Sequence, residues 1–182
     1  MSHISRQSQD HLALAFQRAA RSTLTFDAAD DCAIEPSVVG AEHGLCGEHL
    51  LVITIASFVF RLTVLFDILA DAATQSYYVR GDAQRPLVDA FADAANLCCG
   101  ALNRELSRSF PHLGMSIPYL LRGQCTAQVR ALNPQYLACF AITINREVRV
   151  RGTLCLSCSA PIEVGACADD DCESETGVLE LL

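Results

Sequence analysis

Two prolines bracket the stretch that most constrains this chain of 182 residues. Pro86 suits a helix N-terminus, where its missing N–H costs nothing. Pro111 cannot continue a helix and marks its end. Between them, the segment from Leu87 to Phe110 carries Val88, Phe91, Ala92, Ala95, Cys99, Leu102 and Leu106 at i, i+3, i+4, i+7 and i+11. At about 100° per residue these positions fall in one stripe, which predicts an amphipathic helix with a single buried side. A second layer must cover that stripe.

The opposite side of the same helix is unusual. Asp89, Asp93 and Asn96 stand at i, i+4 and i+7, so they project from one face, one above another. They centre roughly 115° from the apolar stripe and therefore face solvent or a partner. Gly100, one turn further on, costs about 1 kcal/mol relative to Ala inside a helix. Close approach of another surface would offset that cost. Solvation is the ordinary reading of exposed acids and amides, so the triad alone assigns no function.

The rest of the chain is read as follows. A first amphipathic helix is expected from about Asp10 to Leu24, with Asp10 as N-cap and Leu12, Ala15, Phe16, Ala19 and Ala20 inward. A short strand near Cys32–Val39 follows, then the turn-rich link G-A-E-H-G-L-C-G and a strand over Leu50–Ala56. A second helix is expected from about Phe58 to Gln75, with Leu62, Leu65, Phe66 and Leu69 inward. After the long helix, Gly114–Leu121 reads as a short edge strand because it contains Pro118. Gln124–Leu132 alternates like a strand, Tyr136–Ile144 is strongly apolar, and Asn145-Arg146 is a tight turn into the strand Val148–Cys158. The predicted class is α+β: a two-layer sandwich of a mostly antiparallel sheet with two to three helices on one face. Residues 1–163 make a single domain, and the acidic stretch 164–182 is expected to be a disordered tail.

Composition excludes several functions. The net charge is −8, whereas a nucleic-acid binder needs a basic face. No lysine occurs; every basic side chain other than histidine is arginine. The N-terminus lacks an apolar signal core, so a cytoplasmic location is expected. The apolar run Leu50–Phe66 is interrupted by Arg61, which costs about 2.5–3.5 kcal/mol near the centre of a membrane helix; no membrane insertion is expected. The five histidines form no metal-like pair at i, i+4, and no G-x-S-x-G motif is present. Arg149 and Arg151 alternate on a strand and read as a solvated face.

Ten cysteines are spread along the chain. Most sit in apolar text and read as small hydrophobes. The set Cys155, Cys158, Cys167 and Cys172 has a spacing that would suit zinc or redox chemistry. Against this, Cys155 and Cys158 stand at i and i+3 on a predicted strand and point to opposite faces. No metal site is assigned.

The wider pattern, Asp89-x3-Asp93-x2-Asn96-x21-Pro118, together with its flanks F-A-D-A-A-N-L-C-C-G-A-L-N and M-S-I-P-Y-L-L-R-G, resembles the CheC/CheX/FliY chemotaxis phosphatases, most of all the CheX branch. The family places Glu where this chain has Asp93. Only one such site is found, as in a one-site, CheX-like arrangement. The resemblance implies a phosphatase acting on the aspartyl-phosphate of a CheY-like receiver domain. Asn96 would position the attacking water, Asp93 would pair with a receiver lysine, Asp89 and Gly100 would shape the docking face, and Pro118 would be structural. Mg²⁺ would come with the receiver, and the chain would form a homodimer. An alternative is a non-catalytic module that binds a receiver or a motor-switch protein.

Overall fold

The computed structural model describes residues 4–38, 49–80 and 84–165. Helix α1 spans Arg6–Thr23, strand β1 Cys32–Ser37, β2 His49–Ala56 and β3 Phe60–Ile68. Then come α2, Ala72–Tyr78, and α3, Leu87–Leu106. Strands β4, Gly114–Met115, and β5, Tyr119–Arg122, lead into a 3₁₀ segment over Gly123–Leu132. Strands β6, Tyr136–Ile144, and β7, Val148–Cys158, complete the order. The seven strands form one sheet in the order β1-β6-β7-β3-β2, with β4 and β5 both on the outer edge of β2. Every strand pairing is antiparallel. The α+β architecture expected from the sequence is the one observed.

Alternation along the strands builds the main core. Leu51, Ile53 and Ile55 of β2, Leu62, Val64 and Phe66 of β3, Phe140 and Ile142 of β6, and Leu154 and Leu156 of β7 join the stripes of α1 and α3. Phe16 of α1 is fully buried and lies 5.3 Å from the ring of Phe140 and 6.1 Å from Phe66. Phe66 in turn meets Phe91 of α3 edge-on at 5.9 Å, an arrangement aromatic rings favour. Gly152 of β7 gives Phe16 its room: a Cβ there would stand 2.5 Å from Phe16 Cζ.

The helix expected over Phe58–Gln75 is mostly a strand. Ser57–Val59 form a turn, with Ser57 N–H donating to the Phe60 carbonyl at 2.9 Å. The chain returns as β3 against β2, pairing Ile55 with Leu62 and Leu51 with Phe66. Leu65 and Phe66 point to opposite faces: Phe66 to the helices, Leu65 to a second small cluster with Leu50, Val52, Val129 and Cys155. Phe60, Leu62, Val64, Phe66 and Ile68 alternate as a strand does, but Leu62, Leu65, Phe66 and Leu69 stand at i, i+3, i+4 and i+7, so the segment also fits a helix. Only its sequel, α2, is helical, with the Asp71 carboxylate accepting from Thr74 N–H at 2.8 Å.

The segment Gln124–Leu132 is also not a strand. Cys125 and Val129 of this 3₁₀ segment cover the sheet face opposite α1 and α3, and Asn133 ends the segment in the left-handed region at φ 49°. The expected edge strand Gly114–Leu121 is divided into β4 and β5 by Ser116–Pro118, so the proline falls in the gap, where no ladder N–H is needed. Helix α1 begins a turn earlier than expected: Ser5, not Asp10, caps it, accepting from Ser8 N–H at 3.2 Å. Helix α3 stops at Leu106, four residues before Phe110. The hairpin β6–β7 turns over Asn145–Glu147, between the paired Ile144 and Val148, with Asn145 and Arg146 left-handed at φ 51° and 63° and Glu147 N–H donating to the Ile144 carbonyl at 3.1 Å.

Arg151 does not face solvent as its alternation with Arg149 suggests. It is buried beside Asp67, its cross-strand partner on β3, with Nη1 3.9 Å from the carboxylate. A second polar lock ties the loop after α1 to the rest. Asp30 accepts from Tyr77 Oη of α2 at 2.5 Å and from Asn145 Nδ2 at 2.7 Å. Those two hydrogen bonds hold the Asp30 carboxyl well below the usual carboxylate range. Burial and the same bond to Asp30 push the Tyr77 hydroxyl up to about 12.

Val164 and Gly165, the described part of the acidic stretch, pack on α1. Val164 N–H donates to Ser8 Oγ at 2.9 Å and its carbonyl contacts His11 Nδ1 at 2.9 Å. Gly165 holds φ 83° with the His11 ring against its Cα, a place only glycine fills. Residues 166–182 and the link around His43 and Cys46 lie outside the described residues.

Candidate functional site

Helix α3 positions the candidate site. Pro86 stands at its N-cap in the extended region, φ −60° and ψ 137°, and its carbonyl accepts from the N–H groups of Asp89 and Ala90 at 3.1 Å each. Leu87, Ala90, Phe91, Ala94, Ala95, Cys98, Cys99, Leu102 and Leu106 are buried. The opposite side carries Asp89, Asp93 and Asn96, all exposed. The division of the helix into an apolar and a polar side is therefore real, and the triad contributes nothing to the core. Asp89 lies in the first turn, where its charge complements the positive end of the helix dipole.

The surroundings of the triad are open and partly apolar. Leu97, next to Asn96, is 61 % exposed, and Ile117, beside Pro118, is 82 % exposed. At Gly100 a Cβ would meet only the flexible end of Arg104 at 3.8 Å, so nothing within the chain requires a glycine there. Pro118 is half-buried in the break between β4 and β5. That break is fixed from β2: Ser116 N–H donates to the Thr54 carbonyl at 2.9 Å, and Thr54 N–H donates to Ser116 Oγ at 3.0 Å.

One neighbour of the triad carries no sequence signal. Arg85, just before Pro86, reaches along the first two turns of α3. Its Nη2 donates to the Asp89 carbonyl at 3.1 Å and to Asp93 Oδ2 at 2.5 Å. A spacing of eight residues across a helix start belongs to no standard pairing rule, and this is why the contact was not foreseen.

The thiols under the triad are not poised for chemistry. Burial pushes Cys98 up to about 12 and Cys99 well above its ordinary value, so neither forms the thiolate that nucleophilic or metal-binding cysteine needs. No group of three or more potential metal ligands occurs among the described residues. Cys155 lies buried within β7 and Cys158 at its end; Cys167 and Cys172 lie outside the described residues. No helix among the described residues is long and apolar enough to cross a membrane.

A cavity of about 700 Å³, lined by none of the triad residues, lies on the sheet face that the 3₁₀ segment partly covers. Leu50, Val52, Leu65, Leu121, Val129 and Leu132 line it, together with Arg61. Thr54, Thr63, Ser116, Tyr119 and Cys125 add a few polar groups to this mainly apolar lining.

The sheet order and the helices packed on it define an α+β sandwich whose fold is similar to that of CheX and CheC-like chemotaxis proteins. Among solved structures, the CheX–CheY–BeF3–Mg complex of Borrelia burgdorferi matches with a TM-score of 0.53 at 10 % identity, over 82 % of this chain and 97 % of that one. The chemotaxis protein CheX of Vibrio vulnificus matches at 0.51 and 10 % identity, over 81 % and 97 %. A chemotactic CheC-like protein of Shewanella oneidensis MR-1 matches at 0.53 and 8 % identity, over 83 % and 98 %. No family model matches the chain, and no curated protein matches its sequence.

Proposed function

We propose that α3 docks on a phosphorylated CheY-type receiver domain and that the chain hydrolyses the receiver's aspartyl-phosphate. The observation that carries this reading is the shared exposure of Asp89, Asp93 and Asn96 on the coreless side of one helix, in a fold that a CheX–CheY complex also shows. Asn96 presents an amide carbonyl and an NH₂, which together can hold a water in line with phosphorus. The water oxygen bonds to phosphorus as the acyl-phosphate P–O bond breaks. The products are inorganic phosphate and the receiver's free carboxylate. Asp93 pairs with a lysine of the receiver, Asp89 adds charge to the docking face, and Gly100 lets the partner come close. Pro118 keeps the β4–β5 edge turned beside the helix. Mg²⁺ arrives with the receiver, so this chain holds no metal of its own. Positioning and charge carry most of the rate in phosphoryl transfer, which suits so sparse a site. The work is placed in the cytoplasm, where such receivers act.

We also propose that two copies associate, through the exposed apolar side chains of the β5 edge, Tyr119, Leu120 and Leu121. Sedimentation giving a particle of one chain's 19.7 kDa at micromolar concentration would remove that proposal.

A second reading is a receiver-binding module without hydrolysis. It is favoured by Asp93, one methylene shorter than glutamate and already engaged by Arg85. Decay of a phosphorylated receiver, measured with Mg²⁺ in the presence and absence of the chain, separates the two. The variant Asp93→Glu is expected to speed decay by about tenfold, since displacements near 1 Å change rates by one to two orders of magnitude. If Asp93→Glu binds the receiver and neither it nor the native chain speeds decay, the module reading stands.

A further inference from the structure

We infer that Arg85 is a built-in competitor for the carboxylate that receives the partner, and so sets the affinity of docking. The inference rests on the receiver-docking reading of α3. The Arg85 guanidinium bridges the Asp89 carbonyl and Asp93 Oδ2, and Pro86 fixes the backbone from which it springs. Asp93 is thus not a free carboxylate awaiting a lysine. Its side chain is 72 % exposed, that of Arg85 41 %, so the pair sits in high dielectric and is weak enough to open. An exposed pair of this kind contributes at most about 1 kcal/mol.

An incoming ammonium meets two consequences of that pair. Either Arg85 yields Asp93 Oδ2 and loses the contact, or it stays and stands within a few ångströms of a second cation. At so short a separation two like charges repel even in bulk water. Both routes oppose docking. The bond to the Asp89 carbonyl gives the guanidinium a second anchor beside Asp93. Within the docking face, Arg85 therefore selects for partners whose other contacts outweigh it. It is a positioning residue acting through Asp93, not a catalytic one.

The test is titration of a BeF3/Mg²⁺-activated CheY-type receiver domain against four forms of the full chain: native, Arg85→Gln, Asp93→Asn and the double variant. Circular dichroism confirms that each is folded. Arg85→Gln is expected to bind about fivefold more tightly than the native chain, the equivalent of about 1 kcal/mol. In the Asp93→Asn background the gain is expected to shrink, because the competition for one carboxylate is gone and only the repulsion between cations is left to relieve. Merely loosening the helix start would not produce that coupling. Unchanged or weaker binding by Arg85→Gln overturns the inference while leaving the docking reading intact. Binding by neither the native chain nor Arg85→Gln removes the docking reading, and the role of Arg85 with it.

Discussion

Replacing Asn96 with alanine is expected to return the decay of a phosphorylated receiver to its unassisted rate. The argument is geometric. Asn96 is exposed on α3 and makes no contribution to the buried stripe, so removing its amide changes the surface chemistry and leaves the core alone. Within the proposed mechanism it is the only group that holds the attacking water. Holding a reactant in line is worth several kcal/mol of barrier, and the loss is expected to be on the order of a hundredfold or more. Stopped-flow or radiolabel decay with native and Asn96→Ala protein, at equal receiver occupancy, measures it. Native acceleration that survives in Asn96→Ala would place the chemistry elsewhere.

The largest effect on stability is expected at the junction of the two layers. Phe16 is fully buried, touches rings from β3 and β6, and sits over the open Cα of Gly152. Truncating such a phenylalanine to alanine removes its transfer free energy and leaves a cavity, about 3–5 kcal/mol in all. For a domain of this size the midpoint of thermal unfolding should fall by roughly 10 °C. The neighbouring change Gly152→Ala crowds the Phe16 ring and should cost about 1–3 kcal/mol in the native background. With Phe16→Ala already in place, it should cost much less. Calorimetry of the four proteins reads that non-additivity, and simple additivity would mean that the ring and the glycine are not packed as described.

What the sequence made legible follows from how many independent cues marked each element. Helix α3 has a proline at each side and an apolar stripe on one side only, so its existence and its polar face could both be read. The hairpin β6–β7 has alternating strands joined over Asn145–Glu147, and its turn lies where expected. Strand β3 satisfied two periods at once: Phe60, Leu62, Val64, Phe66 and Ile68 alternate with Arg61, Thr63, Leu65 and Asp67, while Leu62, Leu65, Phe66 and Leu69 also recur at helical spacing. In the 3₁₀ segment, polar residues fall between apolar ones often enough to imitate a strand, while the contacts that matter are those of Cys125 and Val129. The triad's face was legible because exposure follows from the helix wheel. Arg85 was not, because its contact with Asp93 depends on how the chain enters the helix rather than on spacing within it. The burial of Arg151 escaped notice for a related reason: its partner, Asp67, is adjacent only once β3 and β7 are paired.

That pairing has a further consequence, for the order of folding. Strand β7 comes last in the chain among the described strands, yet it lies in the middle of the sheet, between β6 and β3. The hairpins β2–β3 and β6–β7 close over short loops, but joining them means matching Phe60 with Cys158. Contacts that distant in sequence are slow to form, because loop-closure entropy must be met before they reward the chain. During synthesis, the first hairpin and the helices have no finished sheet to rest on until nearly everything described here has left the ribosome. Helix α3 meets its partners sooner, because α1, β2 and α2 all precede it in the chain; what waits for β7 is the junction of the β2–β3 hairpin with the β6–β1 side of the sheet.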